Sequence, residues 1–240
     1  MIRIFLKTFI LLLGYLFYNN HKSKVIFYHD IHSDIKNTNM STPFDLFVKH
    51  ISILREEGYE IVDTITKPEK QVQITFDDGF KGIYSHIDFF IENGFFPTIF
   101  ISPSLIGKDR YLDWNEIREM HSLGFIFQSH SLSHYNLASY SIDDLKKELC
   151  ESKAQIEIKL GFKITEICFP QGKYSDLVID QSRREGYKKM YLSIPGNWDG
   201  DSDLVKRNIC QFATPVQFKL IINGGLYIFY KRYHKLHYIN

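Results

Sequence analysis

The sequence is short of cysteine, of net charge and of long apolar runs. Three cysteines occur in 240 residues, at positions 150, 168 and 210, and none forms a Cys-x-x-Cys pair. An odd, widely spaced set excludes a disulfide framework and a cysteine-based zinc finger. Lysine plus arginine number 29 against 28 aspartate plus glutamate, a formal charge of +1. That balance leaves no electrostatic footprint for general nucleic-acid binding. There is no internal repeat and no low-complexity linker. One domain is therefore the simplest division of a chain long enough to bury its own core.

The main apolar run, Thr8 to Tyr18, follows Arg3 and Lys7. Even extended back to Ile2 it falls short of the ~20 residues that a helix needs to span a bilayer. The residues after it, Asn19-Asn20-His21-Lys22-Ser23-Lys24, offer no small-x-small cleavage site. Residues 1–22 therefore read as an uncleaved anchor or an interfacial helix, with a buried N-terminal helix as the third option. A membrane-associated protein is the expectation, with the side undecided, and a cytoplasmic one the alternative.

What is present is a globular composition, 44% hydrophobic and 24% charged, with 20 Phe, 15 Tyr and ten His. From residue 24 onward, short β-rich runs alternate with helical patterns. Strands are predicted at 25–28, 61–62, 72–76, 98–101, 125–128, 164–169 and 189–192. Helices are predicted from Thr42-Pro43 to Gly58, over 83–91, 114–123, 141–160 and 176–185, and finally over 216–230. Strand then helix, repeated, implies parallel strands with helical crossovers, as a barrel or a doubly wound sheet. Either way, chemistry sits on the loops after the strand C-termini.

Three such loops stand out. Strand 72–76 runs into Thr75-Phe76-Asp77-Asp78-Gly79, where adjacent carboxylates must point different ways. One can ligate a metal while the other faces substrate, or the pair is simply an Asp-Gly turn. Strand 125–128 runs into His130-Ser131-Leu132-Ser133-His134. Histidines at i and i+4 share one face of a helical turn and can converge on one metal, or both are plain surface or core histidines. Together the loops supply three ligands and a spare carboxylate, the donor set of a catalytic zinc-type site. A metal there acidifies water, and the spare carboxylate takes the proton. The third loop, Cys168-Phe169-Pro170-Gln171-Gly172-Lys173-Tyr174-Ser175, is either a plain turn or a tight backbone that turns the Gln171 N–H toward an oxyanion.

In this order the three motifs resemble those of the polysaccharide deacetylases, the NodB-homology or carbohydrate esterase 4 group. The resemblance covers roughly residues 24–210, and Tyr111-Leu112-Asp113-Trp114 also fits it. It implies a distorted (β/α)7 barrel over residues 23–240 and metal-dependent removal of N-acetyl groups from amino sugars. It gives Asp77 as catalytic base, Asp78, His130 and His134 as ligands of a divalent metal, with zinc expected, and the Gln171 N–H as oxyanion donor. Pro170, Gly172 and Tyr174 would shape the sugar site. Two positions depart from the pattern. Cys168 stands where many members have an Arg that contacts the base, and Arg207 is the candidate replacement. The late Leu-x-His motif is not evident, and His234 and His237 lie in a Lys/Arg/Tyr-rich tail that does not match it. Phe27-Tyr28-His29-Asp30 resembles the poly-N-acetylglucosamine deacetylase branch, which makes His29 the candidate general acid. His32, His50, His86 and His121 read as structural or surface. The alternatives are an O-acetyl esterase or non-sugar amide deacylase on the same scaffold, and an inactive carbohydrate-binding or membrane-scaffold homologue. The expected partner is an N-acetylated glycan, not nucleic acid, with membrane contact through residues 2–18.

Overall fold

A computed structural model gives the fold and describes residues 2–200 and 202–239. Met1, which opens the apolar segment, and Asn240, which closes the expected domain, lie outside the described residues. The elements are α1 (Ile2–Tyr18), β1 (Lys24–Tyr28), β2 (Asp30–His32), β3 (Ser41–Pro43), α2 (Phe44–Glu56), β4 (Glu60–Ile61), β5 (Gln71–Phe76), α3 (Ile87–Asn93) and β6 (Thr98–Ile101). They continue with α4 (Trp114–Ser122), β7 (Ile126–Ser129), α5 (Ile142–Leu160), β8 (Glu166–Cys168), α6 (Asp176–Arg184), β9 (Lys189–Leu192), β10 (Leu204–Ile209), α7 (Pro215–Ile222) and α8 (Tyr230–His237).

The strands β5 to β10 pair in sequence order, and β1 pairs with both β5 and β10. All these pairings are parallel, so seven strands close into a barrel. This is the (β/α)7 barrel that the resemblance implies. Side chains alternate across its wall, as the period of two requires. Val25, Phe100, Cys168, Tyr191 and Val205 form one buried cluster inside. Ile26, Val72, Ile74, Ile99, Phe127, Ile167 and Met190 belong to the larger core beneath the helices. Thr75 and Asp77 share the inward parity on β5 and its end, and Val205 and Arg207 share it on β10.

Several expectations change. Strand β10 was not among the predicted strands, and Arg207 lies within it. Its Lys206-Arg207-Asn208 centre hides the strand in the sequence, because a charged residue faces the barrel interior. Helix α2 starts at Phe44, and Thr42 does not cap it; the Thr42 hydroxyl donates to the Gln211 carbonyl at 2.9 Å. The segment at 216–230 is not one helix. It breaks at Asn223-Gly224, where Gly224 takes φ +97° and a Cβ would lie 2.3 Å from the Tyr18 carbonyl oxygen.

Helix α1 lies against the segment after α7. Leu11 is buried, and Gly14 approaches Gly225 so closely that a Cβ would sit 2.1 Å from its carbonyl oxygen. The opposite face, with Ile4, Phe5, Leu6, Phe9, Leu16 and Phe17, is exposed. Among the described residues, no helix is long and apolar enough to cross a membrane.

Candidate active site

The C-terminal ends of the barrel strands open onto a cavity of about 230 Å³. Asp77, Asp78, His130, His134, Gln171, Gly172 and His29 all line it. Pro170 and Tyr174 do not; both are buried within the third loop, where Tyr174 stacks on Phe169 and meets Tyr238 edge-on. Phe27, Met40, Phe169 and Ile209 give the cavity an apolar wall.

Asp77 ends strand β5, its N–H donating to the Tyr28 carbonyl at 3.0 Å. Arg207 reaches it from β10 through the barrel interior. Its two terminal nitrogens donate to the two Asp77 carboxylate oxygens at 2.7 and 2.8 Å. The guanidinium also donates to Thr75 Oγ1 at 3.0 Å and lies over the Phe27 ring at 4.3 Å. Arg207 is fully buried. Burial opposes the charge on Asp77, but Arg207 outweighs it and holds the carboxyl below its ordinary range.

The next residue turns away. Asp78 adopts φ +73°, which aims its carboxylate at the histidine loop. His134 Nε2 lies 2.9 Å and His130 Nε2 3.2 Å from Asp78 Oδ1. The loop is not the helical turn read from its spacing. Ser131 and His134 have φ +61° and +63°, and the rings converge through an irregular backbone. Glu148 of α5 secures that backbone by accepting from the Leu132 and Ser133 N–H groups at 3.1 and 3.0 Å and from the Ser133 hydroxyl at 2.6 Å. The Ser102 hydroxyl donates to the His130 carbonyl at 2.7 Å.

The chemistry of this donor set fits a divalent cation. His130 Nδ1 donates to the Cys168 carbonyl at 2.7 Å, which fixes the ring with Nε2 toward Asp78. Asp78 Oδ1 is buried and has no hydrogen-bond partner. Asp78, His130 and His134 together form a group able to hold a metal ion. Asp77, His130 and Cys168 also lie close together, but they are a poorer donor set. Both Asp77 oxygens are taken by Arg207, and burial foremost pushes the Cys168 thiol well above its ordinary pKa.

His29 stands at the end of β1 with Nδ1 2.6 Å from Gln211 Oε1, so the ring donates there and Nε2 is left for the cavity. Gln171 takes φ +57° in the third loop. The sequence reading missed Glu148 and Gln211, and it set aside His237, which reaches the cavity together with Tyr233 from α8. Nothing in the spacing of a basic, aromatic tail signals that it folds back over a barrel mouth. His50, His32, His86 and His121 lie outside the cavity; His50 is buried, stacked on Phe218 and bonded to Tyr28.

The barrel thus places a group able to hold a metal ion at its C-terminal mouth, where barrel enzymes carry their chemistry. The family model for polysaccharide deacetylase matches residues 64–190, more than half of the chain, and the chain belongs to that family. Among curated relatives, YxkH of Bacillus subtilis is 26% identical over 186 residues, covering 73% of this chain and 66% of that protein. The peptidoglycan-N-acetylmuramic acid deacetylase PdaA of Bacillus subtilis is 25% identical over 142 residues, 58% of this chain and 52% of PdaA. The chain thus matches about two thirds or less of the length of these relatives. Of solved structures, IcaB from Ammonifex degensii superposes with a TM-score of 0.76 at 19% identity, over 87% of this chain and 98% of that one. A polysaccharide deacetylase from Bacillus cereus gives 0.72 at 25% identity, over 84% and 69%.

The Asp77–Arg207 pair yields a test. Arg207→Met leaves a carboxylate buried without its partner and is expected to cost about 3–5 kcal/mol in denaturant unfolding. Cys168→Arg added to that variant returns a guanidinium beside Asp77 and should recover part of the loss. A single variant as stable as its parent would show that the pair does not hold the site.

Proposed function

We propose that this protein removes N-acetyl groups from amino sugars of a glycan or glycan precursor. In this reading Asp78, His130 and His134 hold a divalent cation, zinc by the nature of the donors. One observation carries it. A buried donor set with an unpartnered carboxylate oxygen shares a single cavity with a second carboxylate clamped in its ionised form. Membership of the polysaccharide deacetylase family supports the reading, as does the likeness to PdaA, named for action on N-acetylmuramic acid.

A divalent cation in such a site polarises an acyl carbonyl and lowers the pKa of water. Asp77, held low by Arg207, is a weak base and suits water already acidified. It takes the proton from the attacking water. The Gln171 N–H is the donor toward the tetrahedral oxyanion. His29, its Nδ1–H fixed on Gln211, gives a proton from Nε2 to the departing amine. The apolar face of Phe27, Met40 and Phe169 excludes bulk water around the acetyl group.

We also propose that the chain works against a membrane surface through α1. The support is its exposed apolar face, on which Phe5 and Phe17 are each 76% accessible.

Three measurements test these readings. With zinc and an N-acetylglucosamine oligomer, the purified chain should release acetate, and a chelator should stop it. Asp78→Ala and His130→Ala should lose both bound metal and activity; full activity with metal retained in either would sink the ligand assignment. Faster acetate release from O-acetyl sugars would move the activity to an esterase. His29→Ala should lower kcat by ~10² or more, and a loss below about threefold removes the general-acid role. In flotation with anionic vesicles, Phe5→Ser with Phe17→Ser should abolish binding by the full chain; equal binding by parent and variant would end the membrane proposal.

A further inference from the structure

Among the described residues, three buried side-chain polar atoms lack a hydrogen-bond partner: Asp78 Oδ1, Gln211 Nε2 and His237 Nδ1. The first belongs to the donor set, and the second sits behind His29. The third has no place in the reaction. His237 comes from α8, the last helix, yet it lines the same cavity as Asp77 and Asp78. Tyr233, one turn earlier on that helix, lines it too, with ring centroids 5.9 Å apart. Lys231, Arg232 and Lys235 are exposed to solvent. The helix thus turns an aromatic and imidazole face to the cavity and its cations to water.

The tail is firmly placed. Tyr174 N–H donates to the His237 carbonyl at 3.1 Å, and Ile239 N–H to the Tyr174 carbonyl at 2.9 Å. The Lys173 ammonium donates to the Leu236 carbonyl. The imidazole lies directly over the third loop: a Cβ on Gly172 would stand 2.6 Å from His237 Nδ1. Gly172 is therefore required there twice, for this contact and for its φ of +66°. A ring so tightly held, lining the cavity with a buried nitrogen that has no partner, is preorganised for a ligand that supplies one.

We propose that α8 forms a sugar-binding wall of this cavity, with the His237 imidazole bonding a hydroxyl of the amino-sugar ring and Tyr233 covering its apolar face. This rests on the reading of the cavity as an amino-sugar site. Burial and the nearby Lys173 lower the His237 pKa, so the ring is neutral near pH 7 and suits a hydroxyl, not an anion. His237 is thus a positioning residue, distinct from the proton donor His29.

The test uses the full chain, zinc and an N-acetylglucosamine oligomer, with acetate release and calorimetric binding measured together. His237→Phe keeps a ring on the loop but removes the nitrogen. It should raise KM and Kd about fivefold or more, as for a lost hydrogen bond, with kcat within about threefold. His237→Asn, whose amide places a polar atom near the Nδ1 position, should restore most of the affinity. If phenylalanine crowds Gly172 and lowers the melting temperature, His237→Ala should show the same rise in KM. Unchanged KM and Kd in the folded variants would overturn the wall, as would a fall confined to kcat. A parent that binds the oligomer without releasing acetate would end the deacetylase reading and leave the wall standing. A parent that neither binds nor hydrolyses it would end both.

Discussion

The buried pairing of Arg207 with Asp77 is the constraint from which the site's geometry follows. Removing a guanidinium and a carboxylate from water costs several kcal/mol per ion unless both are fully bonded. Here two charge-assisted hydrogen bonds join them, Thr75 takes a further donor, and the Phe27 ring covers the guanidinium. The rest of the barrel interior offers chiefly Val25, Phe100, Tyr191 and Val205, none of which can serve a free carboxylate as a counter-ion. Asp77 therefore has one low-energy orientation, inward. Asp78, as the next residue, must leave the strand in another direction, and its φ of +73° is the backbone consequence.

That consequence is repeated around the mouth. Of six non-glycine residues with positive φ among those described, Asp78, Ser131, His134 and Gln171 lie in the three loops of the site. Each such conformation costs of order 1–3 kcal/mol and persists only where surrounding bonds over-determine it. Glu148 supplies three acceptor contacts to the histidine loop, and the tail from Leu236 to Ile239 clamps the third loop. Two of the three loops are thus held from outside the barrel, by α5 and by the chain at the end of α8. Side chains held this way are fixed in advance, and a preorganised site limits the reorganisation that chemistry would otherwise require.

How much of this was legible in the sequence varies with how local the cause is. Thr98–Ile101 and Lys189–Leu192 were predicted with the bounds observed, because continuous apolar or aromatic runs between turn signals leave little choice. Ser141 and Gly161 bound α5 as read, since capping is a contact of neighbours along the chain. Strand β10 escaped notice because Arg207 faces inward against Asp77, 130 positions away, and periodicity cannot see that partner. The histidine loop misled for a related reason. Spacing at i and i+4 suits a helix, but the convergence here comes from two left-handed residues and a glutamate on another element. His237 was invisible as a cavity residue, for its place depends on the chain turning at Gly224 and folding back along the barrel.

Two positions that the sequence singles out, Cys168 and Arg207, meet in space. Arg207 brings its guanidinium to Asp77 from the strand two places round the barrel from Cys168. This contact also limits what can stand at position 168. Arg207 Nη2 lies 2.9 Å from Cys168 Sγ, so a side chain longer than cysteine at position 168 would meet the guanidinium already there. A small residue with a weak acceptor fills the gap, and burial keeps its thiol neutral beside Asp77. Inward positions on nearby strands share one small volume, in which a charge is defined by where it ends and not by where its chain begins. The same reasoning applies at the mouth. A histidine just after β1 and another on α8 reach one cavity from distant parts of the chain, a meeting that their sequence context does not reveal.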